Sequence, residues 1–401
     1  MIILGIETSC DETGLCIIES ENGTIKVLGN QLYSQVAKHQ EFGGVLPNLA
    51  KREHAKNLVP LFKKCLEEAV LTSSLVKGEC HSDDKAVDLA KLSEIEKILS
   101  REPELFVELK ELLETIEKPK IDAIAVTNGP GLEPALWVGV TFAKALNAAW
   151  NIPIIPTNHM EGHIVVASLS PSLDKEGLGA VEKTWHLAPT THPAIALLIS
   201  GGHTQLVLIK DKLDYKIIGN TKDDAVGEAF DKVARMLGLP YPGGPQVSKY
   251  ADTWKTKNIS LQTFKFPRPM INSKDLDFSF SGLKTSVLYT IKKIENLTEE
   301  MKQEIAFEFQ KAVVDVLIAK TKMAIMEYGA QTLIAGGGVI ANKDIREALK
   351  NLATELSVEF QLPEISASTD NALMIAIAGF INILANKKPT IDFRANGNLS
   401  L

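Results

Sequence analysis

Short apolar runs alternate with amphipathic segments along almost the whole chain. Unbroken apolar runs at 2–6, 15–18, 123–126, 194–199, 206–209 and 332–335 predict buried strands. Helical periodicity over 138–150, 225–237, 298–328 and 372–384 predicts helices. Strands alternating with helices indicate an α/β fold. Two segments read alike, IILGIETSCDETGLCIIES near the start and AIALLISGGHTQLVLIK about half the chain later. Each is a strand, a reversal rich in Ser, Thr and Gly, and a second strand. Small residues in such a turn let backbone N–H groups face a phosphate. One such hairpin per half predicts a duplicated, two-lobed nucleotide site between the lobes. Two plain hairpins explain the same residues equally well.

Residues 71–120 depart from this alternation. Leu89, Leu92, Ile95, Ile98 and Leu99 follow helical spacing among Glu and Lys, and so do Leu105, Leu109, Leu112, Leu113 and Ile116 after Pro103. They predict an inserted helical hairpin packed on one lobe. The expected division is a first lobe over 1–157, with PIIP at 153–156 as the boundary piece, and a second over 158–401. The last helix is expected to pack back on the first lobe.

At 401 residues the chain exceeds what one core usually supports. With 43 basic and 50 acidic side chains its net charge is -7, which argues against a broad basic surface for nucleic acid. Any RNA must then meet a local patch, such as KREHAK at 51–56, or partner chains. Cys10, Cys16, Cys65 and Cys80 are too few for a disulfide scaffold and favour a reduced, cytoplasmic setting. The first residues lack a basic n-region, and the longest apolar stretch, 372–385, is too short for a bilayer. No membrane association is expected.

His159 and His163 in NHMEGHIVVA stand four apart, so on a helix capped by Asn158 they share the face one divalent ion needs. Two surface histidines are the plainer explanation unless a third ligand joins them. Asp370, just before a strongly apolar helix, is a candidate, although it could simply cap that helix. A zinc-protease HExxH fails here. Met160 follows His159, and Glu161 would be rotated about 100° away. The triple glycine of IAGGGVIAN permits close backbone approach to a ligand, or merely a tight turn. Asn342 after it is placed to reach a base or ribose. Asp231 in GEAFDKVARMLGL could accept a ribose diol or sit solvated beside Lys232, and YPGGP at 241–245 bares a surface at Gly243 and Gly244. Asp11 and Glu12, adjacent in the first reversal, suit a cation or a proton transfer, or are ordinary turn acids.

Together these segments resemble the TsaD/Gcp family of tRNA threonylcarbamoyladenosine transferases. The motifs GIETSCDET, GGVLPNLAKREH, GPGLEPALWVGVTFAKAL, PTNHMEGH, LLISGGHTQL, DDAVGEAFDKVARMLGLPYPGGP, FSFSGLKT, AGGGVIAN and TDNALMIA carry the likeness in order. It spans the chain except 71–120, and Glu133, Pro134 and Trp137 replace the smaller residues usual there. The resemblance implies a two-lobed actin/Hsp70/sugar-kinase-like (ASKHA) fold. It implies His159, His163 and Asp370 as ligands of Fe(2+) or Zn(2+), and a catalytic role for Asp11 with Glu12. It implies substrate contacts from Leu198, Ile199, Ser200, Gly201, Gly202, Asp231, Gly244 and Asn342. The implied reaction moves a threonylcarbamoyl group from threonylcarbamoyl-AMP to N6 of the adenosine 3' to the anticodon, in tRNAs reading codons that begin with A. TsaB-like and TsaE-like subunits are the implied partners. A kinase or ATPase of the same fold, a metalloprotease and a non-catalytic scaffold are the rivals.

Overall fold

Nearly every apolar run becomes a strand and every long periodic segment a helix. The computed structural model describes residues 1–21, 23–70, 89–171, 184–257 and 263–401. Two compact units result. Unit 1 comprises Met1–Ala37, Val45–Ala188 and Asp370–Ser400; unit 2 comprises Lys38–Gly44, Pro189–Thr369 and the final Leu401.

In unit 1, β1 (Ile2–Glu7), β2 (Glu12–Glu21) and β3 (Thr24–Ser34) form an antiparallel meander. After α1 (Val36–Gln40), α2 (Pro47–Glu68), α3 (Leu89–Ile98) and α4 (Pro103–Leu113), β4 (Ala123–Gly129) pairs parallel to β1. Helix α5 (Glu133–Trp150) crosses over to β5 (Ile154–Asn158), parallel to β4. Then follow α6 (His159–Val166), β6 (Leu169–Pro171) and β7 (Thr184–Leu187), the two strands extending the sheet beyond β3. Leu4, Ile6, Leu15 and Ile17 are wholly buried against α2 and α5, where the Phe62 and Phe142 rings meet edge to face 5.7 Å apart.

Unit 2 repeats the plan. A second meander, β8 (Ala194–Ile199), β9 (Thr204–Ile209) and β10 (Tyr215–Asn220), is followed by α7 (Val226–Met236), α8 (Gly243–Thr256), α9 (Ser281–Lys292) and α10 (Glu299–Tyr328). Strand β11 (Thr332–Gly336) pairs parallel to β8, and after α11 (Lys343–Leu356), β12 (Glu359–Gln361) pairs parallel to β11. The strand orders β3-β2-β1-β4-β5 and β10-β9-β8-β11-β12 are thus the same path taken twice. This is the duplicated α/β architecture that the paired hairpins suggested.

Three readings shift. PIIP is not a boundary, because Ile154 and Ile155 are buried residues of β5, inside the first sheet. Unit 1 runs on to Ala188, since α6 leads into β6 and β7, and β7 pairs with β3. KREHAK narrows as a basic patch: Glu53 and His54 are buried and Lys51 pairs with buried Glu102 at 3.0 Å, which leaves Arg52 and Lys56 as its exposed basic residues. Within the 71–120 segment, α3 and α4 bury Ile95, Leu105, Leu109 and Leu112 in the core of unit 1, on α5 and α2 respectively. Residues 71–88 lie outside those described.

The last helix, α12 (Ala372–Leu384), belongs to unit 1 and is buried on most sides. Among the described residues no helix is long and apolar enough to cross a membrane. Helix α12 lies against β1 so closely that a Cβ on Gly5 would overlap the Ala372 carbonyl and stand 2.8 Å from the Ala376 nitrogen. That approach needs a glycine on the strand and alanines on the helix. Gly5→Ala should therefore lower stability by about 1–3 kcal/mol, read as a shifted denaturant midpoint. An unchanged midpoint would show that the helix is free to give way.

Candidate functional site

Strand β5 ends in Asn158, whose Oδ1 accepts from the N–H groups of Met160 at 2.8 Å and Glu161 at 3.3 Å. This cap fixes the first turn of α6 and sets His159 and His163 on one face, with ring centres 4.8 Å apart. Asn371 caps α12 by accepting from Met374 N–H at 3.0 Å, so the capping role open to Asp370 in the sequence is filled by its neighbour. The Asp370 carboxylate faces the histidines instead. Its Oδ1 lies 3.3 Å from His159 Nε2 and 3.1 Å from His163 Nε2. Glu161 bonds to Asn382 of α12 at 3.3 Å, so the carboxylate a zinc protease needs is engaged elsewhere.

One donor atom from each of His159, His163 and Asp370 lies within 4.8 Å of the others, and both histidines are buried. Behind His159, the Glu7 carboxylate lies 3.1 Å from Nδ1. Burial disfavours charge on His159, yet the carboxylates of Asp370 and Glu7 outweigh it and hold its pKa well above the usual histidine range. A group held so strongly in the cationic state occupies a place where positive charge is required. A divalent ion in place of the proton on Nε2 meets the same requirement with two imidazoles and one carboxylate, a set common to zinc and iron sites with open positions. The residues fit a metal.

Three more acidic or thiol groups share this neighbourhood. Asp11 is buried at the β1–β2 reversal, and Glu12 opens β2. Burial, then the charges of Asp11 and Asp370, push the Glu12 carboxyl well above the usual range, and burial with the same acids raises the Cys10 thiol. His54 of α2 supports the reversal from below. Its Nε2 lies 3.0 Å from the Cys10 carbonyl, which only accepts, so Nε2 carries the proton and Nδ1 accepts from Thr13 Oγ at 2.8 Å. Neither Glu7 nor His54 stood out in the sequence. The one available signal for Glu7 is a carboxylate closing a strand whose other residues are apolar.

In unit 2, the 200–202 turn is held by Ser200, whose Oγ accepts from Gly202 N–H at 3.3 Å and His203 N–H at 3.1 Å. Gly201 and Gly202 are exposed, with no atom within 4 Å of where a Cβ would stand. Leu198 and Ile199 are wholly buried in β8, so neither presents a surface to a ligand, contrary to the contact expected of them. Gly227, at the start of α7, could not carry a Cβ without coming within 2.6 Å of the Ser200 carbonyl. Gly337, with φ of 93°, packs against Ile199. Asp231 Oδ1 accepts from Gly243 N–H at 2.7 Å at the start of α8, beside Gly244, above which a Cβ would meet nothing within 4 Å. Asn342 caps α11 with its Oδ1 and donates from Nδ2 to Ser248 and Gln310, both at 2.8 Å. Its amide therefore ties α8, α10 and α11 together. The 200–202 turn and the Asp231–Gly243 bond thus flank helix α7 near its start and beyond its end, and Asn342 is built into the frame of unit 2.

The model of the family described as TsaD, tRNA N6-adenosine threonylcarbamoyltransferase, matches residues 26–78 and 104–377. The unmatched stretch between, 79–103, is narrower than the insertion expected from the sequence. A relative from Chromobacterium violaceum with that enzyme name is 40% identical over 387 residues, covering 96% of this chain and 93% of its own. One from Burkholderia ambifaria, of the same name, is 41% identical over 389 residues, covering 96% and 92%. Among solved structures, component A of the Acidaminococcus fermentans (R)-2-hydroxyglutaryl-CoA dehydratase is a distant likeness, with a TM-score of 0.47 and 13% identity over 95% of this chain and 96% of its own.

Elemental analysis tests the histidine–aspartate set. Purified protein should carry zinc or iron, and His163→Ala and Asp370→Ala should each lose it. Variants that keep the wild-type metal content would place the ion elsewhere.

Proposed function

The chain belongs to the TsaD family of tRNA N6-adenosine threonylcarbamoyltransferases, and from that membership we propose its substrates and the residues that handle them. The donor is threonylcarbamoyl-AMP, and the acceptor is N6 of the adenosine 3' to the anticodon, in tRNAs reading codons that begin with A. The setting is the cytoplasm, with TsaB-like and TsaE-like subunits as partners. The observation carrying this reading is the His159/His163/Asp370 set, with both histidines buried, for which phosphoryl transfer by a kinase of the same fold has no need.

The donor's phosphate binds at the 200–202 turn, where no side chain stands in the way; the Ser200 and Gly202 N–H groups already donate to the His203 carbonyl and to Ser200 Oγ, so the Gly201 N–H is the one to meet it. Asp231 and the open surface at Gly244 take the ribose, and Asn342 fixes the loop that borders them. His159, His163 and Asp370 would hold a divalent ion, which would supply Lewis-acid polarisation of a carbonyl or phosphate oxygen. The adenine amine is a weak nucleophile, so loss of its proton must be assisted. Burial and the charges of Asp11 and Asp370 raise the Glu12 carboxyl well above the usual range, so it is the poorer base of the two. The base role falls to Asp11, directly or through a water. AMP is a good leaving group, so positioning and electrostatics do most of the remaining work.

Reconstitution tests this reading. The chain, its partner subunits and the synthase are incubated with unmodified tRNA, threonine, bicarbonate and ATP, and the nucleosides are analysed. Threonylcarbamoyladenosine should form, and Asp11→Ala should slow it by about 10²–10⁴-fold. ATP-dependent phosphorylation of a small molecule without tRNA would favour the kinase. Full activity of both Asp11→Ala and His159→Ala would favour the scaffold.

A further inference from the structure

Glu7 is wholly buried at the end of β1, and its carboxylate is met from three elements. Oε1 accepts from the Ser9 backbone N–H at 2.5 Å. Oε2 accepts from Thr127 Oγ of β4 at 2.7 Å and lies 3.1 Å from His159 Nδ1. When an ion takes the place of the proton that His159 shares with Asp370, the ring keeps one proton; the Glu7 carboxylate, already accepting from Ser9 and Thr127, accepts that proton's hydrogen bond at Nδ1, which leaves the lone pair on Nε2. That is the nitrogen 3.3 Å from Asp370.

We propose that Glu7 is a positioning residue of the metal centre: with Thr127 behind it, it locks His159 in the one tautomer that can bind an ion together with His163 and Asp370. The proposal rests on the metal reading given above and extends it to a residue that touches neither ion nor substrate. Outer-shell carboxylates act in this way by orienting the ring and raising its basicity.

The Ser9 N–H makes the idea sharply testable. In Glu7→Gln the amide must keep its oxygen toward Ser9, since that N–H can only donate. The amide NH₂ then takes the place of Oε2 and points at His159 Nδ1. Nδ1 has to accept, and the proton of a neutral ring moves to Nε2, where it blocks the ion. The Thr127 hydroxyl can rotate to accept, so the core keeps its bonds. Glu7→Gln should therefore fold with a melting temperature close to that of the wild type in the metal-free state, yet bind Zn²⁺ about 10–100-fold more weakly in a chelator competition titration. Glu7→Asp, which retains an acceptor-only carboxylate, should recover part of the loss.

A second measurement needs no variant. Long-range ¹H–¹⁵N spectra of the zinc-loaded wild type should show His159 protonated at Nδ1 and ligating through Nε2. A folded Glu7→Gln that binds zinc as tightly as the wild type overturns the proposal, and so does a His159 protonated at Nε2 in the zinc-loaded wild type. A wild type that binds no zinc or iron at all removes the metal reading as well, which separates the two failures.

Discussion

Bringing Asp370 to His163, 207 residues earlier in the chain, is the constraint on which unit 1 depends. Sequence distance of that order can be bridged only by packing. Helix α12 lies nearly in contact with the backbone of β1 because Gly5 has no side chain and the facing helix residues are alanines. On α6, Gly162 plays the matching part, since a Cβ there would stand 3.0 Å from Met374 Cγ. The helix is apolar on nearly every side because it is buried, with Asn382 turned to Glu161. Its start is then fixed by Asn371, and the carboxylate just before the cap has no direction left except toward the imidazoles. Packing therefore places charge where the low dielectric makes it costly. Only a compensating cation, whether a proton shared with His159 or a metal ion, makes the arrangement tolerable.

Unit 2 meets a different demand with the same sheet plan. Here the polar groups directed outward are mostly backbone. The 200–202 turn follows a wholly buried strand and is flanked by Gly227 and Gly337, two positions where a side chain would collide with it. Such a turn leaves an approach unobstructed by side chains at a fixed position, and little entropy is lost on binding there. The two reversals differ in what they carry: the second holds Ser200, Gly201 and Gly202, while the first holds Asp11 and Glu12 after a buried carboxylate, Glu7, at the end of its strand.

Much of this was legible in the residues. The strand runs, the Asn158 cap and the shared face of His159 and His163 follow from periodicity and side-chain chemistry alone. What stayed hidden depends on contacts distant in sequence. PIIP reads as a rigid linker, yet Ile154 and Ile155 complete a sheet through parallel pairing with β4. KREHAK reads as one basic patch, yet α2 turns His54 inward to the Cys10 carbonyl and leaves Arg52 and Lys56 exposed. Glu7 reads as the end of an apolar run, and its link to Thr127 and His159 exists only once three elements are assembled. Asn342 reads as a ligand contact, while its amide is committed to Ser248 and Gln310 within unit 2.

The central claim is that this chain moves an acyl group from a nucleotide anhydride to a tRNA base. A single turnover with purified threonylcarbamoyl-AMP carrying ¹³C in its carbamoyl carbon, without ATP or free threonine, tests it most directly. Mass spectrometry of the digested tRNA should find the label on the adenosine 3' to the anticodon, in step with AMP release. AMP released with the label recovered as free bicarbonate, and none on the tRNA, would contradict the account.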